Sequence, residues 1–300
     1  MAKLRRNHST RGGAAAGTTL VKVTIFALIL FGLIWAFHDW RKGAGAQVPG
    51  PSQYDAKNWY LPEGGSGPVI RHGGFSLLYD EEWKQAAWVA YILDGDSLDR
   101  QWVARQDNFR PDPLIDSRSA TDDDYRGSGY DRGHLAPFAD FAWREDWADE
   151  TFLFSNISPQ ARQFNQGVWR ELEELIRDWA DREQRLYIVT GPVMTEAPKG
   201  YIGHDNRIAI PRSYYKVILD LEAPEQKGIG FIIPNAVSFR PLPDYVVTID
   251  SVETVTDIDF FPELMPPDLE ARIEEAANPD LWHFSKQRFD RRINLWNNVK

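Results

Sequence analysis

The stretch Tyr130-Asp131-Arg132-Gly133-His134-Leu135-Ala136-Pro137 sets a histidine between a glycine and a short apolar step. Gly133 permits close backbone approach by a ligand, and Pro137 ends the local element that carries the histidine. Asp131 and Arg132 put one charge of each sign beside it. Imidazole exchanges a proton near neutral pH, so these eight residues combine a proton acceptor, a cation and an open backbone. Five further histidines, His8, His38, His72, His204 and His283, lack that setting. A lone histidine most often fills a structural role, so the weight of His134 depends on its surroundings in the chain.

Downstream come Ser155-Asn156-Ile157-Ser158-Pro159-Gln160 and then Phe164-Asn165-Gln166-Gly167-Val168-Trp169-Arg170-Glu171-Leu172-Glu173. Taken singly, Asn165 fits a helix cap, Asn156 a turn former before Pro159, and Glu173 a solvated helix face. Val168, Leu172, Leu175, Ile176 and Trp179 recur at i, i+4, i+7, i+8 and i+11, which predicts an amphipathic helix over 166–183. The apolar runs 88–93, 151–154, 186–193, 214–221 and 228–233 predict strands, and 268–277 predicts a second helix. Helices and strands do not alternate, which disfavours a doubly wound parallel sheet and points to one α+β domain.

In this order, DRGHLAP, SNISPQ, FNQG-W--LE and VTGPV resemble the DNA/RNA non-specific endonucleases, and YRGSGYDRGHLAP is most similar to the endonuclease G branch. The resemblance implies a ββα-metal (His-Me finger) nuclease fold with a central, mostly antiparallel sheet. It implies hydrolysis of DNA and RNA phosphodiester bonds to leave 5′-phosphates. By the same resemblance, His134 matches the general base and Asn165 the single protein ligand of Mg²⁺, with Mn²⁺ as a substitute. Glu173 matches the acid that holds a metal-bound water. Arg132 and Asn156 match positions that orient the site and the substrate. Arg105 is the choice for a further family arginine, with Arg110 in reserve. A hard cation held through one neutral amide oxygen keeps its charge and most of its waters. On an unbroken helix Asn165 and Glu173 would stand about 12 Å apart, so one shared site needs a bend between them. Trp169 fits either stacking on a base or packing in the core. Dimeric relatives imply a homodimer. Two alternatives stay open on sequence: a non-catalytic nucleic-acid-binding relative, and a phosphodiesterase on another substrate.

Residues 1–46 differ in kind, with seven basic residues and one acid. Val23–Phe37 is an uncharged run of fifteen residues flanked by Lys22 and by Trp40. It predicts a basic N-terminal segment at 1–19 and a transmembrane anchor at 20–40. The basic segment would stay inside, which places the nuclease domain on the non-cytoplasmic side: the bacterial periplasm or exterior, or the mitochondrial intermembrane space. A signal peptide cleaved after Ala44-Gly45-Ala46 and an organelle presequence compete with this reading. Residues 41–74, rich in Gly and Pro, read as a tether, leaving 75–300 as the nuclease domain.

The whole chain carries 34 Lys+Arg, 44 Asp+Glu and no cysteine, a net charge of −10. The lack of cysteine excludes disulfides, a thiol nucleophile and thiolate-held metal. Setting residues 1–46 aside leaves −16, and the acid is segregated. Asp244–Asp280 holds eleven acids against Arg272 as its one base, and Asp122-Asp123-Asp124 is a second block. Such surfaces should repel a polyanion and confine its recognition to local arginines and a metal.

Overall fold

The computed structural model describes residues 31–32, 59–204 and 206–298. Residues 1–46 and 47–300 are separate units. In the first unit only Phe31 and Gly32 are described, both helical, so the expected anchor otherwise lies outside the described residues. Among the described residues no helix is long and apolar enough to cross a membrane.

In the second unit the strands run in chain order as β1 (Glu63–Gly64), β2 (Val69–Arg71), β3 (Ser76–Asp80), β4 (Gln85–Asp94), β5 (Tyr130–His134), β6 (Ile157–Ala161), β7 (Arg185–Pro192), β8 (Tyr201–Ile202), β9 (Ile208–Ala209), β10 (Ser213–Asp220), β11 (Lys227–Pro234), β12 (Val246–Val247) and β13 (Ile258–Asp259). Seven form one sheet in the order β12-β11-β10-β7-β4-β3-β2, and every neighbouring pair in it is antiparallel. The α+β class holds. β1 pairs with β13, β5 with β6 and β8 with β9 outside that sheet. The longer helices are α1 (Arg170–Glu183), α2 (Ile249–Thr256), α3 (Pro267–Glu274) and α4 (Lys286–Asn294).

Strand side chains alternate between faces, and here both faces are covered, so the central strands are apolar throughout. In β10, Tyr214 and Ile218 enter one core while Tyr215, Val217 and Leu219 enter the other. The first core takes the whole predicted stripe: Val168 of the segment before α1, and Leu172, Leu175, Ile176 and Trp179 of α1, are all buried in it. The second core takes Ile249 and Val252 of α2 and Ile273 of α3. Trp169 is fully buried against Phe164 and Tyr214, so it packs in the core and does not stack on a base.

Three expectations are corrected. Residues 59–74 belong to the fold: Trp59 and Leu61 are buried in the second core and β2 pairs with β3. His72 from this stretch bonds Asp112 at 3.0 Å, tying it down despite its glycines and prolines. Thr151–Phe154 is no strand. It is a turn leading into a short 3₁₀ segment, with one isolated bridge from Leu153 to Arg110. Its side chains are buried without a ladder, which an apolar run alone cannot distinguish from a strand. The predicted helix over 166–183 is regular only from Arg170, because Gly167 breaks it with non-helical angles (φ −109°, ψ −107°).

Candidate active site

β5 and β6 pair antiparallel, with Gly133 opposite Ser158 and His134 opposite Ile157. The chain then passes through the kinked segment Phe164–Trp169 into α1, completing a strand–strand–helix unit. Gly133 is needed for packing: a Cβ there would fall 2.1 Å from the Gln160 side chain that crosses it. The bend at Gly167 separates the segment carrying Asn165 from the axis of α1.

His134 is 9 % exposed, held between Phe109 (ring centroids 5.6 Å) and Phe152 (5.2 Å). Two guanidinium groups lie on those same rings. Arg132 sits 4.2 Å over Phe109, and Arg105 sits 5.1 Å over Phe152. Burial, with Arg105 and Arg132 added, pushes the His134 pKa down to about 3. The imidazole is therefore neutral at any physiological pH, and its Nε2 is buried without a hydrogen-bond partner.

A cleft of about 500 Å³ opens beside this cluster, walled by Arg105, Phe109, Asp122, Asp131, Arg132 and Asn165 among others. The Asn165 Nδ2 donates to Asp131 Oδ2 at 3.1 Å, and the Gln166 Nε2 donates to the same oxygen at 2.9 Å. Fixing the amide nitrogen this way leaves the Asn165 carbonyl oxygen available to the cleft. The donor set there is oxygen-rich and neutral at Asn165, which fits a hard divalent cation. Among the described residues the one trio of metal-competent acids, Asp250, Glu253 and Glu274, sits on α2 and α3, away from this cleft.

The cleft thus brings together Arg132, Arg105 and Asn165, while His134 lies outside its lining and packs against Phe109 of its wall. Arg110, the reserve choice, is turned away onto Asp149 at 2.6 Å. Asn156 is fully buried behind the site. Its Oδ1 accepts from the Ala136 N–H at 2.9 Å, and its Nδ2 donates to the carbonyls of Ala136 (2.8 Å) and Thr151 (2.9 Å). Asn156 therefore clamps the backbone just after His134 and does not face the cleft. Glu173 is half-buried, does not line the cleft, and is influenced by the charges of Lys216, Arg177 and Asp140. Burial pushes its pKa up to about 7 against the pull of Lys216 and Arg177. Lys216 in turn lies 4.7 Å over the Trp169 ring and donates to the Leu135 carbonyl at 3.4 Å, one residue past His134.

The sequence reading missed three features of the site. Asp131 orients Asn165, and its only signal was its place beside Arg132 in the motif. Phe109 and Phe152 bracket the imidazole from a loop and from the presumed strand. The block Asp122-Asp123-Asp124 is not a bare acidic surface. Asp122 pairs with Arg132, Asp123 with Arg126, and Asp124 is buried on Thr121 and Asn206.

Residues 56–266 match the family described as DNA/RNA non-specific endonuclease. The chain belongs to this family. It is 34% identical over 203 residues to human mitochondrial endonuclease G, covering 64% of this chain and 68% of that protein. It is 33% identical over 219 residues to a nuclease of Nostoc, covering 68% and 76%. It is 30% identical over 255 residues to the mitochondrial nuclease EXOG of Danio rerio, covering 80% and 74%. A chain in the crystal structure of an EndoG/EndoGI complex superposes with a TM-score of 0.62 at 28% identity, covering 70% of this chain and 91% of that one. This member of the non-specific endonucleases is a hydrolase acting on DNA and RNA, and its ββα unit is where family and geometry meet.

Proposed function

We propose that phosphodiester cleavage takes place in the cleft between β5 and the segment 164–169, with His134 as general base, and leaves a 5′-phosphate and a 3′-hydroxyl. The observation that carries this reading is the neutral imidazole packed between the two rings on which Arg132 and Arg105 sit, with both arginines and Asn165, its amide fixed by Asp131, lining the adjoining cleft. His134 takes a proton from the attacking water, which general-base catalysis makes worth about 10²–10⁴ in rate. Arg105 and Arg132 hold the phosphoryl oxygens and neutralise charge that grows in the transition state. The bound phosphodiester anion also offsets the two guanidinium charges that lower the His134 pKa, so the base strengthens when substrate arrives. A divalent ion at Asn165, Mg²⁺ or Mn²⁺, would supply charge neutralisation at the leaving oxygen. Asn156 and Glu173 act as positioning residues: the first clamps Ala136, and the second balances Lys216 on the Leu135 carbonyl.

The same proposal includes an anchor at residues 20–40 with the nuclease on the non-cytoplasmic side of a membrane, supported by the sequence pattern there. It also includes a homodimer, supported by the resemblance to dimeric relatives and read by light scattering. The test of the chemistry is cleavage of plasmid DNA and of RNA with Mg²⁺ by the purified chain and its His134→Ala variant. We expect the variant to fold, by circular dichroism, and to lose activity about 10³-fold. Undiminished cleavage by His134→Ala would remove the proposed base. Nucleic-acid binding without turnover in the unaltered chain, or turnover of small phosphodiesters alone, would remove the proposed reaction.

A further inference from the structure

We propose that Asp250, Glu253 and Glu274 form a second divalent-cation site, with Ca²⁺ as the fitting ion, on the sheet face that α2 and α3 cover. Asp250 and Glu253 are spaced i, i+3 and so share one face of α2. Glu274 is the last residue of α3. One carboxylate oxygen from each lies within 4.8 Å of the others.

The backbone that carries these acids has little room to spread. Ile249 and Val252, next to Asp250 and Glu253, and Ile273, next to Glu274, rest on the glycines of β11. A Cβ on Gly228 would fall 2.6 Å from Ile249 Cδ1 and 2.8 Å from Ile273 Cγ2. One on Gly230 would fall 2.8 Å from Val252 Cγ2. Both helices therefore sit directly on bare backbone, and their acids are held together by packing.

Glu274 is the independent pointer to a ligand. It is 6 % exposed, and its Oε1 is buried with no hydrogen-bond partner. The charged groups acting most strongly on it, Glu253, Glu270, Asp250 and Asp259, are all acids. Arg272, the one base in the stretch 244–280, is exposed. A buried carboxylate among like charges, without a donor, needs a cation or a proton. Glu253 spends part of its capacity on the Phe260 N–H at 2.9 Å, and its remaining lone pairs are free to coordinate. Ca²⁺ takes six to eight oxygens at about 2.3–2.6 Å, from carboxylates and water, so a span of 4.8 Å is about twice its bond length. Mg²⁺, at about 2.0–2.1 Å and strictly octahedral, fits this span less well.

The test is direct binding, which keeps its failure separate from any failure of the cleft chemistry. The full chain is stripped with EDTA and titrated with CaCl₂ while heat of binding and Tm are followed. An Asn165→Ala background removes the cleft as a competing ion site. In it we expect one Ca²⁺ per chain and a Tm rise of about 5 °C at hundredfold excess over Kd. Adding Glu274→Gln should abolish both, while Glu274→Gln alone should leave Mg²⁺-dependent cleavage within about twofold. Asp250→Asn, at a half-buried position, should weaken Ca²⁺ at least tenfold and stands in if the Glu274 variant fails to fold. Absence of Ca²⁺ binding in the Asn165→Ala background overturns the site and leaves Glu274 as a protonated acid. A Ca²⁺ response that survives both Glu274→Gln and Asp250→Asn overturns it as well.

Discussion

The two faces of the sheet solve opposite electrostatic problems. On the face of α1, a neutral imidazole lies under Arg105 and Arg132, and the acids nearby are paired or used as hydrogen-bond acceptors. On the face of α2 and α3, carboxylates crowd one another with Arg272 turned to solvent. A net charge of −10 averages these and describes neither. The lesson is that a polyanion substrate answers to the local field of the cleft, where two arginines converge, and not to the charge of the whole chain. The acidity lies on a separate face, where it serves another partner, a cation.

The contrast can be broken most severely at His134. His134→Ala should lower cleavage by about 10³-fold and leave Ca²⁺ binding at Glu274 intact; joint loss of both would mean the faces are coupled. Next in size is Arg105→Ala, which should cost about 10²-fold in kcat/KM by removing a phosphate contact. It should also move a pH profile. With both arginines the free-enzyme base has a pKa near 3, so kcat/KM keeps its basic form down to strongly acid pH. Removing one positive charge favours protonation, and the acid limb should shift upward, towards the ordinary histidine value. A downward shift would contradict the assigned cause.

Asn156→Ala comes third. It strands the Ala136 N–H and two carbonyls in the interior, so we expect about 2 kcal/mol of lost stability in urea melts. The accompanying loss of activity should appear in kcat more than in KM, since the clamp acts on His134 and not on substrate. The last prediction leaves activity untouched and provides a control for the acidic face. Asp220 is a buried acid with a cation beside it, Lys227 at 3.5 Å, and burial still pushes its pKa up to about 7. The folded chain keeps that proton to about pH 7 while the unfolded chain releases it near pH 4. Its contribution to stability therefore falls as pH rises between those values, by at most about 1.4 kcal/mol per unit, and is flat above. Asp220→Asn should flatten that slope, and Ca²⁺ should not alter it. A Ca²⁺-dependent slope at Asp220 would show that the ion acts through bulk charge and not at Glu274.

Much of the site was legible in the chain, for a definable reason. His134, Arg132 and Asn165 lie in the short motifs that carry the family resemblance, and Arg105 is the further arginine that the resemblance implied. The apolar stripe running from Val168 into α1 followed from its period alone, and all five of its residues are buried. What failed did so where a side chain's partner lies far along the chain. Thr151–Phe154 is as apolar as a strand, yet its residues pack from a loop, with Phe152 against His134. Asn156 was matched to a position that orients the site and the substrate, but its partners at Ala136 and Thr151 appear only when β6 returns beside β5. Glu173 sits on α1 at the spacing the motif requires, but its neighbours Lys216 and Asp140 come from a strand and a short helix elsewhere. Residues 59–74 have the composition of a tether and join the fold because β3 offers an edge to Val69–Arg71 and the second core takes Trp59 and Leu61.

By itself, then, the sequence determined the class of the fold and the apolar stripe that α1 buries, which depend on periodicity, and its ordered motifs carried the resemblance that implied the family and its reaction. Only the tertiary structure decided that Arg105 and not Arg110 lines the cleft, that Asp131 aims Asn165, and that Glu274 is buried among acids. Those outcomes depend on which surfaces meet across the sheet, and a buried charge is decided by every group packed around it.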